Sequence, residues 1–283
     1  MPSGTWAGAA QRLDRALAEL GLVRSRSRAA ELVAEGRVLV DGAVAAKAGQ
    51  RIAPGSRIEL EGADRYVGRA AHKLVAALDA FGVDPAGRLA LDLGASTGGF
   101  TQVLLERGAE AVQAIDVGHD QLAPQLRNDD RVRLVEGCNA RDLTAERLAA
   151  DTGIDRRPDL VVADLSFISL TLILPAIART AAEGADLVLL IKPQFEVGRL
   201  GIRDGIVTDP EQRASAVRAV LAAAAGLGYA TRGLDASPIA GTAGNREFLV
   251  HFAPSPRETP PDPTEWEGRI RELCSDAGPV AEA

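Results

Sequence analysis

The chain has 283 residues, a formal net charge of −7, 46% hydrophobic and 25% charged residues. That balance supports a packed core and excludes a disordered chain, and no apolar run reaches the roughly 18–20 residues of a membrane-spanning helix. Two cysteines and three histidines exclude a disulfide framework and a metal cluster, and only three of the 32 cationic side chains are lysines. The start, MPSGTWAGAAQRLD, lacks the basic and apolar regions of a secretory signal, so a reduced, cytoplasmic protein is expected.

Residues 1–10 carry no charge and are expected to be disordered. Residues 11–62 carry nine Lys/Arg and seven Asp/Glu, a net of +2, which leaves −9 for the remainder. Leu13, Leu17 and Leu20 share a helical face, and Gly21 ends that helix. Ser25 or Ser27 caps a second helix that turns Ala30, Leu32 and Val33 inward and stops at Gly36. RVLVDGAVA alternates around Asp41-Gly42 and predicts a hairpin, and RIEL after Pro54-Gly55 predicts a further strand. The stretch is therefore a small α+β domain. Its arginines Arg12, Arg15, Arg24, Arg26, Arg28 and Arg37 read either as a phosphate-binding patch or as a solvated helix surface. The pattern RLDxxLxxxGLxxSRxxAxxLxxxGxVxVDG resembles the small RNA-binding domain named after ribosomal protein S-four, and the resemblance favours the patch.

Residues 63–68 read as a linker. RAAHKLVAALDAFGV is then an amphipathic helix with Leu74, Leu78 and Phe81 on its apolar side. LALDLG, AVQAIDVG, VRLVEG, LVVADLS and DLVLLIKP read as buried strands separated by helical stretches. Such alternation predicts a mostly parallel sheet with helices on both faces. YATRGLDASPI and REFLVHF, joined by the turn-rich GTAGN, add a closing hairpin and bring the sheet to seven strands. The α/β body is Rossmann-like over residues 69–253, and residues 254–283 form a proline-rich tail with a short helix at WEGRIRELC.

Ligands of such sheets sit beyond the carboxyl ends of the strands. Asp92 ends the first strand and leads into Gly94, Ala95, Ser96, Thr97, Gly98, Gly99 and Phe100, which is not the dinucleotide fingerprint. Asp116 ends the second strand 24 residues later, where an acidic residue accepts from both hydroxyls of a ribose. An adenosine without a pyrophosphate fits. DLGASTGGF resembles the methyltransferase signature loop, which implies S-adenosyl-L-methionine as cofactor. Asn139, in GCNARDL, serves either the adenine edge or a turn, and Cys138 reads as a small buried hydrophobe.

Four ionisable residues stand at element ends expected to converge on that ligand: Lys73, Asp164, Lys192 and Glu247. A ribose 2′-hydroxyl is a poor nucleophile, and a lysine serves as its base when partial burial and a second ammonium lower the lysine's pKa. Lys192 is the expected base, Lys73 the second cation, and Asp164 and Glu247 the orienting carboxylates. The K…D…K…E order is similar to that of the ribose 2′-O-methyltransferases of the FtsJ/RrmJ type. Together, AHKL, DLGASTGGFT, VVADLSFISL, IKPQFEVG and GNREF resemble the TlyA family, also labelled hemolysin A. The resemblance covers about residues 11–253. It implies 2′-O-methylation of cytidine in ribosomal RNA, with ribosomal subunits as partners and neither metal nor membrane. Gly68-Arg69-Ala70-Ala71 departs from the Ser-Arg-Gly type of sequence the resemblance leads one to expect.

Two readings compete: a methyltransferase acting on a substrate other than RNA, and an RNA-binding ribosome-assembly factor. No spanning or strongly basic amphipathic segment supports the lytic activity of the older label. In GRLGIRDGIVTDP, Arg199 and Arg203 read as phosphate contacts or as plain surface loop. Phe167 and Phe195 read as a base-stacking pair or as an apolar wall beside the cofactor. Of the three lysines, Lys47, Lys73 and Lys192, two fall in the proposed tetrad, where arginine, which does not give up its proton, could not replace a base.

Overall fold

The structure, a computed structural model, describes residues 2–23, 25–60, 65–198, 205–241, 244–255 and 265–275. The chain divides into two compact units, Met1–Arg65 and Tyr66–Ala283.

The first unit contains β1 (Ser3–Thr5), β2 (Gln11–Arg12), α1 (Leu13–Glu19), α2 (Arg26–Ala34), β3 (Val38–Val40), β4 (Ala43–Val44), β5 (Arg51–Ile52) and β6 (Arg57–Leu60). Its strands are antiparallel throughout, in a four-stranded sheet of order β1-β6-β3-β4 and a separate β2–β5 pair. Asp41 and Gly42 have φ of 53° and 82°, the doubly positive turn that matches the twist of a hairpin. Ser25 caps α2 by accepting the N–H of Arg28 at 3.2 Å. Leu13 and Leu17 of α1 and Leu32 and Val33 of α2 meet Val38, Ile58 and Leu60 of the sheet in one buried cluster.

The expected disorder of residues 1–10 is corrected here. Ser3–Thr5 pairs with β6 in the register Ser3↔Glu59 to Thr5↔Arg57. Trp6 is buried in the core, and its indole N–H donates to Ala9 O at 2.9 Å. A charge-free segment is ordered here by one large apolar side chain and by the vacant edge of β6.

The second unit runs α3 (Ala70–Phe81), β7 (Leu89–Leu93), α4 (Gly99–Glu106), β8 (Ala111–Ile115), α5 (Pro124–Arg127), β9 (Val132–Val135), α6 (Ala145–Thr152), β10 (Leu160–Ala163), α7 (Leu170–Thr180), β11 (Asp186–Ile191), α8 (Pro193–Glu196), α9 (Pro210–Gly226), β12 (Tyr229–Ala236), β13 (Phe248–Pro254) and α10 (Glu267–Cys274). Its seven-stranded sheet has the order β12-β13-β11-β10-β7-β8-β9. Strands β7 to β11 are parallel, whereas β13 runs antiparallel to both β11 and β12. The seven strands expected from the sequence are these.

Side chains alternate across the sheet with period two. Leu91, Leu93, Val161, Ala163, Leu187 and Leu189 face the layer containing α7 and α9. Ala90, Val112, Val162, Val188 and Leu190 face α3 and α4. Both faces are covered, which is why these strands read as continuous apolar runs. Tyr66 and Val67, expected in a linker, pack against the second layer, and Val67 N–H donates to Gln102 Oε1 at 2.8 Å. The tail helix α10 buries Ile270, Leu273 and Cys274. Arg213 fixes it by donating to Cys274 O at 2.8 Å and to Thr208 O at 2.8 Å. Among the described residues no helix is long and apolar enough to cross a membrane.

Candidate active site

The parallel sheet brings three chain segments to one edge. Asp164 directly follows β10, Lys192 directly follows β11, and Glu247 directly precedes the antiparallel β13. These strands are neighbours, so a strand end, a strand end and a strand start lie side by side. Lys73 comes from the first turns of α3, whose Ala71, Leu74 and Leu78 are buried in the layer over the sheet.

The four side chains form a linked set of charges. Lys73 Nζ lies 2.6 Å from Glu247 Oε2 and 3.7 Å from Asp164 Oδ2. Lys192 Nζ lies 2.7 Å from Asp164 Oδ1 and donates to Ser166 Oγ at 3.0 Å. Asp164 thus stands between two ammonium groups. Lys73, Lys192 and Glu247 are 7%, 8% and 3% exposed, a degree of burial that charged groups tolerate only when paired. The Lys73–Glu247 pair is the inner one. Lys192 faces the exposed Ser166, on the side open to solvent.

The loop after β7 folds over the end of β8. Gly94 and Ala95 N–H donate to Ile115 O, and Ser96 N–H donates to Asp116 Oδ2 at 2.7 Å. Gly118 N–H donates to Asp116 Oδ1 at 2.7 Å, so backbone fixes both oxygens of a carboxylate that stays half-exposed. Gly94 and Gly98 have φ of +85° and +97°, which L side chains rarely adopt. A Cβ on Gly98 would stand 2.3 Å from Leu126 Cδ1, and one on Gly94 would stand 3.0 Å from Asp164 O. These two glycines let the loop pack closely against Asp164 and Leu126. Ala95, Gly98, Gly99 and Phe100 are buried in that packing, while Ser96 is exposed and Thr97 half-buried.

Asp92 lies beneath this loop and is fully buried. Its Oδ2 accepts from Thr101 Oγ1 at 2.6 Å, and its Oδ1 has no partner. Burial, with the nearby charges of Asp164 and Asp116, pushes its carboxyl up to about 7 against the lowering effect of the Thr101 hydroxyl. Asp92 therefore supports the loop from below and presents no surface to a ligand in this structure. Asn139 Oδ1 accepts from Arg141 N–H at 3.0 Å, which is the turn-forming alternative. Its segment nevertheless lies beside Asp116, because Cys138 N–H donates to Asp116 O. Cys138 is buried, as a small hydrophobe would be.

Val117, Ser166 and Glu196 are not among the residues expected from the sequence, whereas Phe167 is. Val117, next to Asp116, is 71% exposed. With the fixed Asp116 carboxylate it fits a ribose carrying a flat base. Ser166 meets Lys192, and only its place two residues after Asp164 hinted at this. Glu196 accepts from Ser169 Oγ at 2.5 Å and from Leu170 N–H at 2.8 Å. It ties the segment after Lys192 to the segment after Asp164, and burial raises its pKa against those two hydrogen bonds. Phe167 has φ of 65° and is 92% exposed. Its ring meets Phe195 at 5.3 Å and 49°. An aromatic held out in a left-handed backbone is no buried wall.

In the first unit every described candidate arginine faces a carboxylate. Arg15 pairs with Glu19 at 2.8 Å, Arg28 with Glu31 at 2.8 Å and Arg37 with Glu35 at 3.1 Å. Arg12 and Arg26 share Asp14 at 2.9 and 3.1 Å. Arg24, Arg199 and Arg203 lie outside the described residues. Among the described residues no cluster that could hold a metal ion is present.

The profile of the family described as FtsJ-like methyltransferase matches residues 66–253, and that of the S4 domain matches residues 11–58. A Mycobacterium tuberculosis protein named 16S/23S rRNA (cytidine-2′-O)-methyltransferase TlyA is 48% identical over 242 residues, covering 84% of this chain and 88% of the relative. Hemolysin A of Brachyspira hyodysenteriae is 38% identical, covering 85% of this chain and 99% of the relative. The solved structure of a protein named as a hemolysin from Streptococcus thermophilus is similar with a TM-score of 0.72 and 38% identity, covering 95% of both chains.

Asp92 couples stability to pH. Its native pKa lies above the ordinary 3.8, so the folded state holds the proton more tightly. That stabilisation is complete below about pH 4 and is lost as pH rises through about 7. Urea unfolding of wild type and Asp92→Asn is expected to show the variant gaining about 2–3 kcal/mol on wild type between pH 5 and pH 8. An unchanged difference would show that Asp92 does not titrate in this range. Separately, Glu247→Ala leaves Lys73 with only the longer contact to Asp164 and is expected to cost about 3 kcal/mol. Adding Lys73→Met should recover part of that loss in the same assay; no recovery would assign the loss to packing.

Proposed function

The chain belongs to the FtsJ-like methyltransferase family, and from that premise we propose that it transfers a methyl group from S-adenosyl-L-methionine to the 2′-hydroxyl of a cytidine in ribosomal RNA. The observation that carries the reading is the Asp164 carboxylate set between Lys73 and Lys192, at the strand ends where a fixed Asp116 also stands. The name of the M. tuberculosis relative supports the substrate, and the S4 domain supports RNA as the partner.

S-adenosyl-L-methionine, when bound, supplies an electrophilic methyl group. Asp116 and Val117 would hold its ribose and base, with Ser96 in the loop above. The remaining work falls to this chain's own residues. After giving up one of its own protons to solvent, Lys192 Nζ accepts the proton released by the 2′-oxygen as that oxygen attacks. Asp164, 2.7 Å away, orients the amine before the step and stabilises the ammonium after it. Ser166 accepts one of the amine's hydrogens and so limits its rotation. Lys73 keeps a second positive charge beside Asp164, and Glu247 neutralises it from the inner side. Glu196 keeps the two loops in fixed relation, so positioning contributes to the rate.

Phe167 gives the target base a platform. A nucleotide must leave its stack to reach a buried lysine, and an exposed ring directly after the lysine-bound Ser166 compensates lost stacking.

Lys192→Ala is expected to reduce methyl transfer by at least about 100-fold while S-adenosyl-L-methionine binding, read by calorimetry, stays intact. Mass-spectrometric mapping of 2′-O-methyl groups in ribosomal RNA, with and without the protein, gives the readout, and full activity of the variant removes Lys192 as the base. Phe167→Ala should lower kcat/KM for RNA about 5- to 150-fold, with Phe167→Trp retaining most of it. Equal loss in both variants would deny a stacking role.

A further inference from the structure

The arginines of the first unit are not equivalent. Arg15, Arg28 and Arg37 each meet an acid that is itself exposed: Glu19 at 43%, Glu31 at 59% and Glu35 at 43%. Asp14 differs. Its side chain is 7% exposed and lies in the first turn of α1. It accepts from Arg12 Nε at 3.1 Å, from Arg12 Nη2 at 2.9 Å and from Arg26 Nη2 at 3.1 Å. Arg12 ends β2 and Arg26 opens α2, so one buried carboxylate joins two elements. The Arg12 and Arg26 side chains remain 55% and 60% exposed. Arg51 stands opposite Arg12 in the β2–β5 register and is also exposed, its Nη2 donating to Ala10 O at 3.3 Å. Two guanidinium groups thus share one buried acid, with Arg51 opposite Arg12 in the strand pair, whereas the other arginines meet exposed acids.

We propose that Asp14 is a positioning residue for RNA binding: it holds Arg12 and Arg26 side by side as a clamp for one backbone phosphate, with Arg51 alongside. This rests on the reading of the first unit as an RNA-binding domain. A guanidinium carries five N–H donors in a rigid fork, and the edge turned to Asp14 leaves others facing outward. A carboxylate that is already buried takes nothing from RNA but fixes two flexible side chains before the phosphate arrives. Less conformational freedom is then lost on binding. Burial also explains why the acid does not repel the phosphate as a surface acid would: its charge is spent on the two arginines, which hold the carboxyl down at about 2.

The sign of one substitution separates this from simple charge balance. Removing an acid from an RNA-binding surface should tighten binding if only net charge matters. Asp14→Asn in the full chain is instead expected to weaken binding of a fluorescein-labelled RNA hairpin about tenfold, with a shallower dependence of affinity on salt. In an Arg12→Ala/Arg26→Ala background the same substitution should have no further effect. Asp14→Glu, which keeps the charge but moves it, should also weaken binding, and it serves as the second variant if Asp14→Asn does not fold. Binding by Asp14→Asn equal to or tighter than wild type overturns the inference and leaves the RNA-binding reading intact. Equal binding by wild type and the double arginine variant overturns both.

Discussion

One largely enclosed carboxylate between two ammonium groups sets the terms for the methyltransferase unit of this protein. Two like charges at the rim of an apolar sheet are expensive to keep close, because desolvation and repulsion act together. Asp164 meets both lysines, and Glu247 meets the inner one, so the four groups balance to zero. None of these residues can be removed without leaving a buried charge. The constraint reaches into the fold. Only a sheet in which the last strand runs antiparallel beside β11 can deliver Glu247 from a strand start to the same edge as Asp164 and Lys192 from strand ends.

Much of this was legible in the sequence, for physical reasons. Strands buried on both faces write themselves as apolar runs, and a charge that closes such a run must emerge at the rim. VVAD and LLIK carry that signal directly. Asp116 was legible through its spacing from Asp92. The rest depends on which way side chains point once the loops close. Asp92 looked like part of the ligand loop, yet its position on the α4 side of β7 buries it under Thr101. The space beside Gly94 and Gly98 is taken by Asp164 and Leu126, a contact no local pattern announces. Glu196 lies in IKPQFEVG, and its reach to Ser169 and Leu170 is a contact between loops that no local pattern encodes. The N-terminal strand was missed because charge-free sequence was taken for disorder, although Trp6 was the signal that something there must be buried.

The two units solve opposite electrostatic problems by the same means. In the second, carboxylates hold lysines at the point where the proposed reaction moves a proton. In the first, carboxylates hold arginines that keep their protons at any physiological pH. Net charge is a poor guide to either. A total of −7 suggests a chain that avoids polyanions, yet the arginines of the first unit project from a surface whose acids are already engaged. What matters for a phosphate is the donor edge left free after internal pairing, and that depends on where each acid is buried.

The distribution of lysine follows from the same distinction. Arginine outnumbers lysine 29 to three, and apart from the exposed Lys47 every cationic side chain outside the tetrad is an arginine. Structural contacts conform: buried Arg213 with the carbonyls at Cys274 and Thr208, and half-exposed Arg218 with Glu267. Lys73 and Lys192 are the exceptions inside the fold, and they stand together on Asp164. A planar fork of fixed protons would satisfy the pairing there at least as well as an ammonium does. The residue type retained is the one that can lose a proton, at the one place where the proposed chemistry requires a proton to be taken.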